Sequence, residues 1–182
     1  MTLEALALQG NTAIFSSMAA SIGPRINEIR KDYIKTSFTD FRGHEHRLEF
    51  VANIHGIEFI DDSRATNMNS TWFALESMNK PVILIAGGSD YENDYEMLKP
   101  VILSKVKTII WLGKNTHGIL SLLKDTGIPF GSAQTMQEAV EMAYSIGRQG
   151  DVILLSPGCP SFDLFSDFED RGREFKLEVK KL

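Results

Sequence analysis

The chain has 182 residues, 43% of them hydrophobic and 24% charged, enough to bury one full core and part of a second. Its formal net charge of −5 leaves no basic surplus to neutralise a phosphate backbone, which argues against a nucleic-acid partner. Cys159 is the single cysteine, which excludes an internal disulfide and a cysteine-based zinc site. The chain has neither a basic region at its start nor an apolar run of the roughly 20 residues that span a bilayer, so the expectation is a cytoplasmic chain without a membrane anchor.

In chain order, Ile14, Met18 and Ile22 recur at helical spacing before Gly23-Pro24, and Ile26, Ile29 and Tyr33 repeat the pattern before a polar stretch. Residues 1–40 are therefore expected to form a short helical segment, with a separate domain over 41–182. That domain opens with Leu48, Phe50, Ala52 and Ile54 in alternation, a His55-Gly56 turn, and Ile57 and Phe59 resuming the alternation, which predicts an antiparallel hairpin. Helix and strand then alternate. A helix carries Met68, Trp72 and Leu75; the run Val82 to Ala86 predicts a strand buried on both faces; a helix near Tyr95–Ser104 precedes a strand over Thr108–Leu112. A helix over Thr116–Lys124 leads to a short strand around Ile128–Phe130. A helix with Ala139, Val140, Ala143 and Ile146 comes before the strand Val152–Leu155, stopped by Ser156-Pro157, and a final helix carries Phe168, Phe175 and Val179. The class predicted is α/β, with a Rossmann-like, mostly parallel sheet, the hairpin at its edge and right-handed crossovers.

Ligands of such sheets bind beyond the carboxyl ends of the strands, which directs attention to a few loops. Asp61-Asp62-Ser63-Arg64-Ala65-Thr66-Asn67 sets two carboxylates, a guanidinium and several hydroxyl or amide groups between a strand end and a helix start. Helix capping accounts for Thr66 or Asn67. It accounts less well for Arg64, which can grip a phosphate bidentately, and for an Asp able to orient a ribose or a metal-bound water. Ser156 to Asp163 reads either as a carboxylate-holding turn or as a rigid turn with Ser161 or Asp163 as a cap. Cys159 lacks a base partner and reads as a packed residue. Gly87-Gly88 is followed by Asp90, Glu92 and Asp94, which suits a flexible loop better than an anion site. His44 and His46 stand two apart without a third ligand in view, so no metal site is assigned. The phosphate-cradling pattern G-x-x-x-x-G-K-[ST] is missing: Gly113-Lys114 is followed by Asn115, with Thr108 where the first glycine belongs.

In order and spacing, four stretches resemble the C-terminal domain of the Mur ligases, and within them the branch that adds D-glutamate to UDP-N-acetylmuramoyl-L-alanine. They are His46-Arg47-Leu48-Glu49; Asp61 to Asn67 with Asn69-Ser70-Thr71; Leu155-Ser156-Pro157 through Ser161-Phe162-Asp163; and Asp167-Phe168-Glu169-Asp170-Arg171-Gly172. The resemblance implies an ATP- and Mg2+-dependent amide ligase of peptidoglycan precursor synthesis. It implies that residues 1–40 are the tail of a central ATPase domain and that the remainder of that domain and an N-terminal UDP-sugar domain are missing partners. The chain alone is then expected to be inactive and to hold no cofactor tightly. By position, Arg47 and Asp62 would contact the nucleotide and Arg64 would lie near the transferred phosphate, as the catalytic cation. Thr66, Tyr91, Ser161, Phe162 and Phe168 would surround D-glutamate. The chain departs from the family pattern at Arg64 and Tyr91, where the family usually has Lys, at Glu92, where it has Gly, at Pro160, where it has Ala, and at Asn11-Thr12-Ala13. Two alternatives stay open at this point: a non-catalytic binding module of the same fold, or a ligase of the wider Mur and folylpolyglutamate synthase superfamily with another amino-acid acceptor.

Overall fold

The computed structural model describes residues 44–89, 94–124 and 126–182. The chain divides into two units, 1–43 and 44–182; the helical segment expected over residues 1–40 lies outside the described residues. In the second unit, β1 (Glu49–Ile54) and β2 (Ile57–Asp61) are followed by α1 (Met68–Ser77), β3 (Val82–Gly87), a 3-10 turn (Glu96–Leu98) and α2 (Lys99–Lys105). Then come β4 (Val106–Leu112), α3 (His117–Leu123), β5 (Phe130–Ala133), α4 (Met136–Ile146), β6 (Val152–Gly158) and α5 (Phe168–Val179). The strands form one sheet in the order β1-β2-β6-β3-β4-β5. All neighbours are parallel except β1 and β2, which make the expected edge hairpin.

Strand alternation splits the core into two layers. Val82, Leu84, Ile109, Trp111, Val152 and Leu154 face α1, α2 and α3; Ile83, Ile85, Ile110, Ile153 and Leu155 face α4 and α5 through Val140, Ala143, Phe175 and Val179. Burial on both faces is what makes the strand sequences apolar throughout, and crossover helices on both faces are what a parallel sheet requires. Three of the helices start at a side-chain cap. Asn67 caps α1 by accepting from Ser70 N–H, Thr135 caps α4 by accepting from Glu138 N–H, and Asp167 caps α5 by accepting from Asp170 N–H. Among the described residues no helix is long and apolar enough to cross a membrane.

Three local expectations need correction. Phe50 does not share the buried face with Ala52 and Ile54: the ladder slips between Phe50 and Ala52, a bulge that leaves Phe50 59% exposed. The strand predicted to stop at Ser156-Pro157 runs on to Gly158. Its pairing with β2 ends at Leu155, and its pairing with β3 skips between Leu155 and Gly158, so Pro157 falls at an irregularity where its missing N–H breaks no ladder. The short strand expected around Ile128–Phe130 forms at Phe130–Ala133, because Pro129 has no N–H to give and only its carbonyl, which accepts Ile109 N–H at 3.1 Å, meets the neighbouring strand before the ladder starts.

The chain direction of the sheet reverses beside β6. From β3 it proceeds outward through β4 to β5, then returns to place β6 between β3 and β2. The loops after β2, β3 and β6 therefore leave neighbouring strand ends at the switch point, where ligands of such sheets sit.

Candidate functional site

The loop after β2 begins with a buried carboxylate pair that points two ways. Asp61 is fully buried: its Oδ2 lies 2.6 Å from His46 Nδ1 and its Oδ1 accepts Ser63 N–H at 2.8 Å. Burial raises the Asp61 carboxyl above its ordinary range in spite of both bonds. Asp62, 5% exposed, accepts Leu48 N–H at 3.2 Å and the Ser156 hydroxyl at 2.8 Å. Burial pushes it up to about 7, the hydrogen bonds and Arg47 opposing and Asp61 adding to the rise. Asp62 is thus gripped on both oxygens by the fold, with the Arg47 charge acting on it from an exposed position.

Arg47 is presented by a strained turn. His46 and Leu48 on either side have φ of 62° and 47°, a region that costs a residue with a Cβ about 1–2 kcal/mol. Three hydrogen bonds hold the turn there: His46 N–H to Glu49 Oε2 at 2.9 Å, Leu48 N–H to Asp62, and Arg64 N–H to the His46 carbonyl at 3.0 Å. The last of these couples the turn to the loop after β2.

Arg64 is exposed, and its guanidinium carbon stands 5.6 Å from the centre of the Phe168 ring, a cation–π contact. Both line an open depression of about 410 Å³ together with His44, Glu45, His46, Glu169 and Arg173. Thr66 is half-buried and donates its N–H to the Arg64 carbonyl at 2.9 Å. In the loop after β6, Ser161 is buried and its carbonyl takes Leu164 and Phe165 N–H, a turn and no helix start, while Phe162 is 73% exposed. Ser89 N–H donates to the Pro160 carbonyl at 2.9 Å and links the loops after β3 and β6. Cys159 is buried. Tyr91, Glu92 and their neighbours 90 and 93 lie outside the described residues.

The structure therefore brings Arg64 and Phe168 together and holds Arg47 in the turn whose next N–H, that of Leu48, binds Asp62. It buries Ser161 and leaves Phe162 at the surface. Sequence reasoning assigned no role to His46, Ser63, Ser156, Arg171 or Lys176. Lys176 bridges Glu45 and Glu49 at 2.7 and 3.1 Å. Helical spacing in α5 puts Arg171, Phe175 and Val179 on one face, a signal that Arg171 points inward, but nothing in the spacing names what it meets.

An α/β domain with a doubly wound parallel sheet, an antiparallel edge hairpin and polar loops converging at the switch point is the class defined by this fold and site. The chain belongs to the Mur ligase family, whose "Mur ligase, glutamate ligase domain" matches residues 46–159. Relatives named UDP-N-acetylmuramoylalanine–D-glutamate ligase are similar along the whole chain. That of Bacteroides fragilis is 43% identical over 183 residues, covering 100% of this chain and 41% of the relative. That of Christiangramia forsetii is 45% identical over 182 residues, with coverage of 100% and 41%. The chain thus spans about two-fifths of the length of these relatives. Among solved structures, a pseudomurein peptide ligase type C from Methanothermus fervidus superposes with a TM-score of 0.67 at 16% identity, over 94% of this chain and 36% of the other, a likeness of fold.

Proposed function

We propose that this chain is the amino-acid-delivering part of an ATP-dependent ligase that joins D-glutamate to UDP-N-acetylmuramoyl-L-alanine, and that it acts only with the UDP-sugar and ATPase domains that the resemblance implies. The observation that carries this reading is the match along the full chain to relatives of that name at 38–45% identity. Neither a non-catalytic module nor a ligase with another acceptor is favoured, since the relatives reported carry the D-glutamate name.

In the proposed reaction the alanyl carboxylate takes the terminal phosphoryl group of ATP, the amine of D-glutamate attacks the acyl carbon, and phosphate leaves as the amide forms. Such chemistry depends on positioning and on cations near the developing charge. Arg64, exposed and held over Phe168, is the residue we assign to the transferred phosphate or the incoming carboxylate, and a planar fork suits either. Arg47 is assigned to the nucleotide. Thr66, Ser161, Phe162, Phe168 and Tyr91 are assigned to the acceptor amino acid. ATP and magnesium belong to the whole reaction. Among the described residues, the three candidate metal-ligand atoms that fall within 4.8 Å of one another are those of Glu45, His46 and Glu49. Lys176 already bridges those two carboxylates, so this group does not fit a magnesium ion and no step is routed through it.

The test is a heteronuclear NMR titration of the labelled chain with D-glutamate to high millimolar concentration and L-glutamate as control. Shifts at Thr66, Ser161 and Phe168 with the D isomer alone are expected. Identical responses to both isomers, or none, would count against an acceptor site in this chain.

A further inference from the structure

Arg171 takes no part in the proposed chemistry, although it is one of the largest fully buried side chains, at 1% exposure. It sits in the first turn of α5, just after Phe168. Burial lowers its pKa to about 10, so it stays charged at neutral pH, and a buried guanidinium must find acceptors for its donors. Its Nε donates to Ser63 Oγ at 3.0 Å, Nη2 to the Ser63 carbonyl at 2.9 Å and Nη1 to the Cys159 carbonyl at 3.0 Å. Among the described residues no backbone N–H reaches the Ser63 carbonyl, which the guanidinium therefore satisfies inside the fold.

The Ser63 hydroxyl passes the link on. It accepts from Arg171 and donates its own hydrogen to the Phe168 carbonyl at 2.7 Å. The loop after β3 closes over the same group: a Cβ at Gly88 would lie 2.2 Å from the Pro160 carbonyl oxygen and 3.3 Å from Arg171 Nη1. Lysine could not replace the fork, because a single ammonium cannot bridge two loops in one plane.

From this geometry we infer that Arg171 is the positioning residue of the site: its guanidinium sets the loop after β2 and the loop after β6 against the start of α5, and so fixes where Arg64, Thr66, Ser161 and Phe168 stand. What those loops are for rests on the acceptor-site reading. The linkage itself does not, and it can be tested without ligand.

The experiment is amide hydrogen exchange on the full chain, comparing wild type with Arg171→Lys and Ser63→Ala under conditions where circular dichroism shows each folded. The loop amides to follow are Arg64, Ala65 and Gly158, each bonded to a loop carbonyl; the reference amides are Ile85 and Leu154 in the central strands. Arg171→Lys is expected to speed the loop amides about tenfold or more beyond any change at the reference amides, the signature of local opening. Ser63→Ala, which leaves the guanidinium bonds to the Ser63 and Cys159 carbonyls intact, is expected to speed Arg64 and Ala65 as well, by less than Arg171→Lys does. Acceleration of loop and reference amides by one common factor would make Arg171 a general stability contact and overturn the inference. If Arg171→Lys does not fold, Ser63→Ala decides: unchanged exchange at Arg64 and Ala65 overturns it. D-glutamate titration of the same samples tests the acceptor reading separately, since an unresponsive wild type removes that reading while exchange still settles the role of Arg171.

Discussion

Asp62 and Arg64 stand on either side of Ser63 with opposite fates, one buried and one exposed, and that contrast decides what each can do. The Asp62 carboxyl is raised from 3.8 to about 7 by burial. Between those values the unfolded chain has released the proton while the folded chain still holds it, so the folded state binds more protons and stability falls as pH rises through the window. The loss is complete above about pH 7 and is on the order of 4 kcal/mol at most. Asp61, also raised, acts in the same direction. Asp62→Asn keeps an acceptor for Leu48 N–H and removes the ionisation, so urea unfolding of the variant is expected to show a shallower fall in stability between about pH 4 and 7 and no loss against wild type near pH 8. A variant several kcal/mol weaker at the higher pH would mean that Asp62 is a net stabilising anion. The seven residues from Asp61 to Asn67 were legible as a site because capping alone could not explain their charges. Which of them face inward was not, since an irregular loop has no period from which to read burial, and Ser63, Ser156 and Arg171 gained their roles from contacts across long stretches of chain.

At the scale of elements, α5 is the organiser of this end of the molecule. It sends Arg171 between the loops, Lys176 to Glu45 and Glu49, and Phe175 into the core. Its approach depends on Gly172, where an added Cβ would lie 2.1 Å from His46 Nδ1 and 2.8 Å from Asp61 Oδ2. Gly172→Ala must push α5 away or break the His46–Asp61 pair, and chemical denaturation is expected to show a loss of about 1–3 kcal/mol despite the better helix propensity of Ala. An equal or greater stability would show that the helix can shift without cost. Most elements were readable in the sequence, because the double-sided burial of β3, β4 and β6 writes continuous apolar runs and each long helix starts at a capping residue. Two of the three exceptions share a cause, since a bulge at Phe50 and a register skip beside Pro157 depend on the partner strand.

For the molecule as a whole, the strand order gathers the loops after β2, β3 and β6 at the carboxyl ends of neighbouring strands, and the resemblance in the sequence had pointed to all three loops, through Arg64 and Thr66, Tyr91 and Ser161, and to the start of α5. The alternation of helix and strand made the parallel sheet legible. The place of β6 between β2 and β3 was not, because neighbours in a sheet are chosen by crossover geometry and leave no mark in local pattern. The exposed cation Arg64, stacked on the face of Phe168, is left open to solvent in the depression they line. The most direct measurement is ligation itself. The chain would be fused behind the preceding three-fifths of the Bacteroides fragilis relative, and ADP release followed with ATP, UDP-N-acetylmuramoyl-L-alanine and each candidate amino acid. The account predicts release that depends on D-glutamate in the fusion, falls at least about tenfold with Arg64→Ala, and is absent from the chain alone. A folded fusion that turns over with another amino acid in preference to D-glutamate, or turnover by the chain alone, would contradict it.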